Sequence, residues 1–260
     1  MLVTVIICAT YYSLVSTTIS LLDWKDATQP VSKMMPIVWL QLACPSQIPT
    51  LEKQVLINKE IQDYVLVSNA IYTRSNTGFN FQVEIMEYFE TEYCTIDYGN
   101  SDHIDALREQ ALSFVNSKYE MPQNSTIVYA GNITYIRNGD TVKGPLRGFA
   151  TVGHRHVHIR QDEIHGSSNI LAHELGHSLS LLHPFNDKFL PILDLPRICT
   201  KEIDRVKQLS ECPIELTTCG AEKEQLTNIM DYLPEKCSRR FYFSPRQVRT
   251  MRNFLRLDSP

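Results

Sequence analysis

Apolar and polar positions follow two different periods along the first part of the chain, and the changes of period predict where strands and helices lie. A buried strand is expected at residues 36–40, an apolar run that ends near Cys44 and carries its proline at the strand start. A half-buried strand is expected at 81–86, where apolar and polar residues alternate. Short apolar runs at 127–130 and 156–159 predict two more strands.

Helical spacing of apolar residues predicts helices between these strands. The first is expected to begin at the capping residue Thr50 and to end at the turn residues 75–78. Its expected buried positions are Leu51, Val55, Leu56, Ile61, Val65 and Ile71. Further helices are expected at 101–119 and 245–257, whereas the polar, glycine-bearing stretch 131–152 is interpreted as a long loop with room for a hairpin.

The order β-α-β-α-β-β before a further helix predicts an α+β fold. We expect a twisted, mixed, five-stranded sheet with the two long helices on one side. Proline-rich sequence after residue 183 predicts a loop-rich lower region that depends on disulfides. The expected division is a signal peptide at 1–20, a leader or short pro-segment at 21–35, an upper subdomain at 36–183 and a lower subdomain at 184–260.

Composition changes this picture little, because 43% hydrophobic residues in 260 are typical of a globular protein. The net charge of −4 and the lack of a long basic run argue against nucleic-acid or anionic-membrane partners. We expect a monomer with no stable membrane span.

The apolar run at 2–15 is too short to span a bilayer and, with the small residues after it, is typical of a secretory signal. It lacks a basic start, so a buried first strand remains the alternative. Removal of Cys8 with the signal leaves six cysteines, an even number that fits three disulfides in an oxidising compartment. Sequons at Asn124 and Asn132 fit the same secreted, extracellular, glycosylated protein.

The candidate chemistry lies in the segment from His173 to His183. On a helix, His173 and His177 lie on one face, and Glu174 lies beside them, within reach of a water on the same ion. His183 follows six residues after His177 and supplies a third imidazole, which leaves one coordination position open on a hydrolytic zinc. The alternative is a polar helix face with an unrelated histidine beyond it.

This extended pattern resembles that of the metzincin zinc endopeptidases. Residues 228–232 resemble their methionine turn, with Met230 as the methionine. The following block, with Cys237 and residues 243–247, is similar to the pappalysin and cytophagalysin branch. The resemblance covers about residues 170–255 and implies a metzincin-like catalytic domain, with long helices above the zinc helix.

The resemblance also implies roles for individual residues. Zn²⁺ would be held by the three histidines, with Glu174 as general base and Tyr232 as a hydrogen-bond donor to the oxyanion. Met230 would form a structural base under the histidines without ligating the metal. An edge strand around Val157 would bind an extended peptide or protein substrate by strand addition.

The disulfide pattern of the family suggests Cys199–Cys219 and Cys212–Cys237, which leaves Cys44–Cys94. Sequence alone allows fifteen pairings of six cysteines.

The chain departs from the family pattern at Ser180, where the family has glycine at a turn that favours positive φ. Calcium has no support, because Asp187, Asp194 and Asp204 are scattered. The alternating His154, His156 and His158 are interpreted as exposed polarity of an edge strand, with a second zinc site as the less favoured alternative.

These patterns together predict a secreted zinc-dependent endopeptidase. Two alternatives stay open: a non-catalytic secreted glycoprotein that retains zinc, and a protease of another metzincin branch.

Overall fold

A computed structural model describes residues 33–134, 136–137, 140–141, 146–164, 169–183, 200–213, 215–217, 223–224, 227–231, 237 and 241–257. The expected signal peptide, Tyr232 and the expected Cys199–Cys219 pair lie outside these ranges.

The strands are β1 (Lys33–Ala43), β2 (Phe79–Glu90), β3 (Thr95–Asp97), β4 (Thr126–Thr134), β5 (Ile136–Arg137), β6 (Asp140–Thr141), β7 (Gly148–Ala150), β8 (His156–Arg160), β9 (Leu216–Thr217), β10 (Lys223–Glu224), β11 (Thr227–Asn228) and β12 (Phe241–Tyr242). The helices are α1 (Leu51–Arg74), α2 (Ser101–Lys118), α3 (Ile170–Ser178), α4 (Thr200–Gln208) and α5 (Pro245–Phe254).

The main sheet confirms the predicted α+β fold with a mixed sheet. Five strands lie in the order β2-β1-β4-β8-β7, and the short β3 pairs beside β4 as a sixth. Every neighbouring pair is parallel except β7 with β8, which is antiparallel. Parallel strands need long crossovers, and α1 and α2 supply the first two.

The expectation that both long helices cover one face of the sheet is wrong. Helix α1 packs with α3 on the face that carries Ile37 and Trp39, whereas α2 packs on the opposite face with Val38 and Leu40. The physical reason is the strand order. The crossover from β1 to β2 and the crossover to β4 run in opposite directions along the sheet, so right-handed connections place their helices on opposite faces.

The buried face of α1 also differs from the prediction near its start. Leu51, Val55 and Leu56 are exposed, at 75%, 61% and 63%. The buried positions of the helix are Ile57, Ile61, Tyr64, Val65, Ser68, Ile71 and Tyr72. Ile61, Val65 and Ile71 are buried as predicted. Two tyrosines and a serine complete the buried stripe, which the pattern of aliphatic residues alone did not show.

The stretch 131–152 contains more structure than the predicted loop. Strand β4 continues to Thr134, β5 and β6 form the hairpin, and β7 pairs with β8. Strand β8 is paired on both sides, so the predicted edge strand around Val157 is wrong. The edge of the sheet, among the described strands, is β7, a three-residue strand too short to show a period in the sequence.

Two disulfides lie within the described ranges, and both are pairings that the sequence analysis inferred. The Cys44–Cys94 disulfide joins the end of β1 to the connection between β2 and β3, with Cα atoms 4.9 Å apart. Cys212 and Cys237 join two segments of the lower region at 5.1 Å. Over the described ranges, no helix has the length and apolar character that a bilayer-spanning segment requires.

His158 contradicts the interpretation of the alternating histidines as exposed polarity. Its side chain is completely buried on the α2 face, stacked between Phe149 at 4.2 Å and Tyr129 at 4.7 Å. Neither of its ring nitrogens has a hydrogen-bond partner. Burial, followed by the charges of Arg108 and His156, holds the pKa of His158 well below its usual value.

His158 should therefore make the protein acid-sensitive. As pH falls below about 6.5, the His158 imidazole becomes protonated in the unfolded chain but stays neutral in the folded protein. The free energy of unfolding therefore falls. The His158→Phe variant places another aromatic ring between Phe149 and Tyr129 and has no group that titrates. Between pH 7.5 and 5, we expect its free energy of unfolding to fall by about 2 kcal/mol less than that of the wild type. Urea unfolding at both pH values measures this difference. An equal loss in both proteins would contradict the assignment.

Candidate metal centre

Helix α3 carries the first two histidines, and tyrosines of α1 fix its position. The hydroxyl of Tyr64 accepts a hydrogen bond from the Leu171 amide at 2.9 Å, which satisfies an amide of the first helical turn. The hydroxyl of Tyr72 donates to the Ala172 carbonyl at 3.1 Å. Asn169 precedes the helix without a side-chain capping bond, so these tyrosines supply polar partners at its start.

Three imidazoles converge beside this helix. The Nε2 atom of His183 lies 3.1 Å from Nε2 of His173 and 3.1 Å from Nε2 of His177. Tetrahedral zinc with nitrogen ligands at about 2.0–2.1 Å requires nitrogens about 3.3 Å apart. Among the described residues, this is the only group of three or more metal-ligating side chains whose ligand atoms converge. The donor set therefore fits zinc.

Backbone carbonyls orient two of the rings. His173 Nδ1 lies 2.8 Å from the Ile229 carbonyl, and His177 Nδ1 lies 2.7 Å from the Leu181 carbonyl. A carbonyl only accepts, so each Nδ1 donates and each Nε2 keeps its lone pair for a metal. Burial, followed by neighbouring histidines, lowers the pKa of His173 to about 4 and that of His183 to about 3. The imidazoles are thus neutral at pH 7, as ligation requires.

Glu174 lies one residue along the helix and is 6% exposed. Its Oε2 atom has no hydrogen-bond partner, while the Ala150 amide of β7 donates a hydrogen bond to the carboxylate. Burial raises the pKa of Glu174 to about 8, and the Ala150 bond opposes that rise. A bound dication would lower this pKa again, which favours the carboxylate form needed for a base.

The end of α3 directs the chain back towards the histidines. The Leu181 amide donates to the Gly176 carbonyl and the Ser180 amide to the His177 carbonyl, both at 3.0 Å. This pair of bonds is a Schellman motif, in which the residue after the helix end adopts positive φ. Ser180 occupies that position with φ of 71°, so the departure from glycine leaves the turn intact.

Replacement of Ser180 by glycine should relieve the strain of this turn. A left-handed conformation costs a non-glycine residue about 1–2 kcal/mol, part of which is offset by the greater unfolded-state freedom of glycine. We therefore expect Ser180→Gly to raise the unfolding free energy by up to about 1 kcal/mol, and Ser180→Ala to give no such gain. Urea unfolding curves of both variants provide the comparison; a clear loss of stability in Ser180→Gly would refute the expectation.

Met230 lies beneath the helix, fully buried. Its amide donates to Asn228 Oδ1 at 2.9 Å, and the Asn228 amide group exchanges hydrogen bonds with Gln247 of α5. A Cβ atom on Gly176 would lie 2.7 Å from Met230 Sδ, so a larger residue at 176 would force the buried Met230 side chain or the helix to shift. The turn at Met230 also brings the Ile229 carbonyl to His173.

Gly176→Ala should therefore destabilise the protein by about 1–3 kcal/mol through overpacking, more than alanine gains in helix propensity. Because the clash is with Met230, the penalty should be much smaller in a Met230→Ala background. A double-mutant cycle from denaturant unfolding measures this coupling. Equal penalties in both backgrounds would show that the contact is not the cause.

Sequence reasoning missed the contribution of β7. A Cβ atom on Gly148 would lie 2.8 Å from Ile170 and 3.1 Å from Glu174 Cγ, so this glycine allows the edge strand to contact the zinc helix. Only the glycine itself could have indicated a close approach. Of the other expected sites, Asn124 and Asn132 are exposed, and Tyr232 lies outside the described residues.

Comparisons with known proteins agree with this geometry. The family model for pregnancy-associated plasma protein-A, peptidase family M43, matches residues 123–256. No curated protein sequence matches the chain significantly.

The solved structures that are similar to the chain include the following three. A promirolysin mutant from Tannerella forsythia is 15% identical with a TM-score of 0.47, and the match covers 90% of this chain and 86% of that one. Archaemetzincin from Methanopyrus kandleri is 10% identical with a TM-score of 0.34, covering 85% and 96%. A chaperone–substrate complex is 18% identical with a TM-score of 0.40; the match covers 59% of this chain and spans 27% of that one.

Proposed function

Since the chain belongs to the peptidase family of pregnancy-associated plasma protein-A, we propose that it is a zinc-dependent endopeptidase with Glu174 as general base. The observation that carries the proposal is the convergence of three Nε2 atoms next to a buried carboxylate whose Oε2 has no partner. Among the described residues no fourth ligand atom joins this group, whereas a purely structural zinc site would be closed by one and would have no use for that carboxylate.

His173, His177 and His183 would hold the metal through Nε2. Zinc, when bound, supplies Lewis-acid activation of water and of the peptide carbonyl. Glu174 Oε2 takes the proton of the attacking water and passes it to the departing amine, because it is the buried carboxylate oxygen with no partner of its own. The Ala150 amide holds the carboxylate through a hydrogen bond while this proton moves.

The proposed substrate is an extended peptide or protein segment, and its proposed position is along β7. This strand pairs only with β8 among the described strands, so its outer edge has backbone donors and acceptors for another strand. The Ala150 amide of this strand donates a hydrogen bond to Glu174. A substrate that pairs with β7 would therefore place one of its peptide bonds beside the proposed general base. This replaces the strand around Val157 as the expected substrate strand.

Secretion is part of the same proposal. The Cys44–Cys94 and Cys212–Cys237 disulfides support an oxidising compartment, and exposure of Asn124 and Asn132 is compatible with glycosylation. We also propose the pappalysin and cytophagalysin branch, Tyr232 as oxyanion donor and a monomeric state, all on the grounds given by the sequence.

The experiment that tests the function is the digestion of an unfolded protein by the purified chain, with and without a zinc chelator. Mass spectrometry of the products should show new internal peptide ends that appear only without chelator. A non-catalytic zinc glycoprotein would bind zinc and give no such ends, and that result would overturn the proposal.

A further inference from the structure

A buried carboxylate outside the metal centre, Glu163, closes the 3₁₀ turn that follows β8. Its side chain is 6% exposed, and its carboxylate accepts hydrogen bonds from two arginines. Arg147 Nε donates to Glu163 Oε1 at 2.7 Å, and Arg147 Nη2 donates to Oε2, a two-point pairing. Arg160 Nη2 donates to Oε1 at 2.9 Å. Such fork geometry fixes direction as well as distance.

These arginines flank one end of the β7–β8 pair. Arg147 immediately precedes β7, and Arg160 is the last residue of β8. The Arg160 amide also donates to the Arg147 carbonyl at 2.9 Å. Glu163 thus ties the start of the edge strand to the end of its neighbour through both side chains.

Strand β7 needs such ties because it has only three residues and, among the described strands, pairs only with β8. So short an edge strand opens easily when ladder bonds alone hold it. Yet its Gly148 packs against Glu174, and its Ala150 amide is bonded to that carboxylate. Any movement of β7 would move the hydrogen-bond donor that orients Glu174.

We propose that Glu163 is a positioning residue: through Arg147 and Arg160 it holds β7 so that Ala150 orients Glu174 and the strand edge lies ready for substrate. This inference rests on the proposed peptidase function. The proposed effect of Glu163 passes through β7.

The chain offers a matched control in Glu202. This glutamate is also buried, receives both Nε and Nη2 of Arg205 at 2.8 and 2.7 Å, and accepts the Thr217 amide in the lower region. Glu202→Gln removes the same charge and the same kind of pairing, but its partners Arg205 and Thr217 belong to α4 and β9 and not to β7. Glu163→Gln and Glu202→Gln therefore differ chiefly in which strand they release.

The test combines hydrogen exchange with steady-state kinetics on the zinc-loaded full chain. In Glu163→Gln, the amides of Phe149 and Ala150 should exchange about tenfold faster or more, while amides of β1 and β4 change little. The kcat for a peptide substrate should fall about tenfold or more at unchanged zinc content, because the base is misplaced. Glu202→Gln should leave both quantities near wild type.

Unchanged β7 exchange in Glu163→Gln, unchanged kcat, or equal effects from Glu202→Gln would each overturn the inference. If Glu163→Gln does not fold, Arg147→Lys replaces the fork by a point charge at a side chain that is 41% exposed, and the same changes are expected in smaller size. If the wild type cleaves no peptide, the proposed function fails, while the exchange measurement still decides whether Glu163 positions β7.

Discussion

Glu174→Gln should retain one zinc per chain and lose peptide hydrolysis by a factor of about 10²–10⁴. Glutamine has nearly the same shape, so the Ala150 amide can still donate to its side-chain oxygen, and none of the three convergent Nε2 atoms is altered. What disappears is a group that can accept a proton from water. The kcat of the zinc-loaded variant and its metal content, measured on the same sample, check both halves of this expectation.

Ser178→Ala is a suitable control, since Ser178 lies on the same helix, is equally buried and donates only to the Leu175 carbonyl. It should cost some stability and little activity. Full hydrolysis by Glu174→Gln would refute the assignment of the base. Loss of zinc together with activity would instead make Glu174 part of the binding site.

His183→Ala should release the metal and abolish activity while the chain stays folded. His183 lies beyond the end of α3 and is only partly buried, so its removal leaves the helix and the Schellman turn in place. Two imidazoles then remain of the three, and the loss of a direct ligand should exceed the 10- to 100-fold loss of affinity typical for a residue that only supports a ligand. Zinc titration and hydrolysis assays provide the two readouts.

The exposed His154 gives the matched control, because His154→Ala removes an imidazole from the same subdomain without touching the convergent group. It should bind zinc and cleave substrate as the wild type does. Tight zinc binding by His183→Ala would mean that another residue serves as the third ligand.

The convergence of the three histidines could be predicted from sequence because it depends on local spacing. The interval between His173 and His177 is one helical turn, and helix geometry alone places both on one face. His183 required only a reversal of the chain after the helix, which the Schellman turn at Ser180 provides. The bounds of α2 and α5 were close for the same reason, since each carries a regular apolar stripe.

The parts that could not be predicted depend on contacts between distant segments. No local pattern shows that α1 and α2 cover opposite faces, because this follows from the order of strands in the sheet. The contact between β7 and Glu174 could not be predicted either, because a three-residue strand has no detectable period and a glycine such as Gly148 is typical of a turn. His158 appeared polar and exposed, although the aromatic rings of Phe149 and Tyr129 enclose it.

The most direct test of the account is a titration of the metal-free protein with zinc, in which bound metal and peptide hydrolysis are followed together. The convergence of His173, His177 and His183 predicts that activity rises from background in proportion to bound zinc and levels off at one equivalent. Hydrolysis by the metal-free chain, or one bound equivalent without hydrolysis, would contradict the central claim.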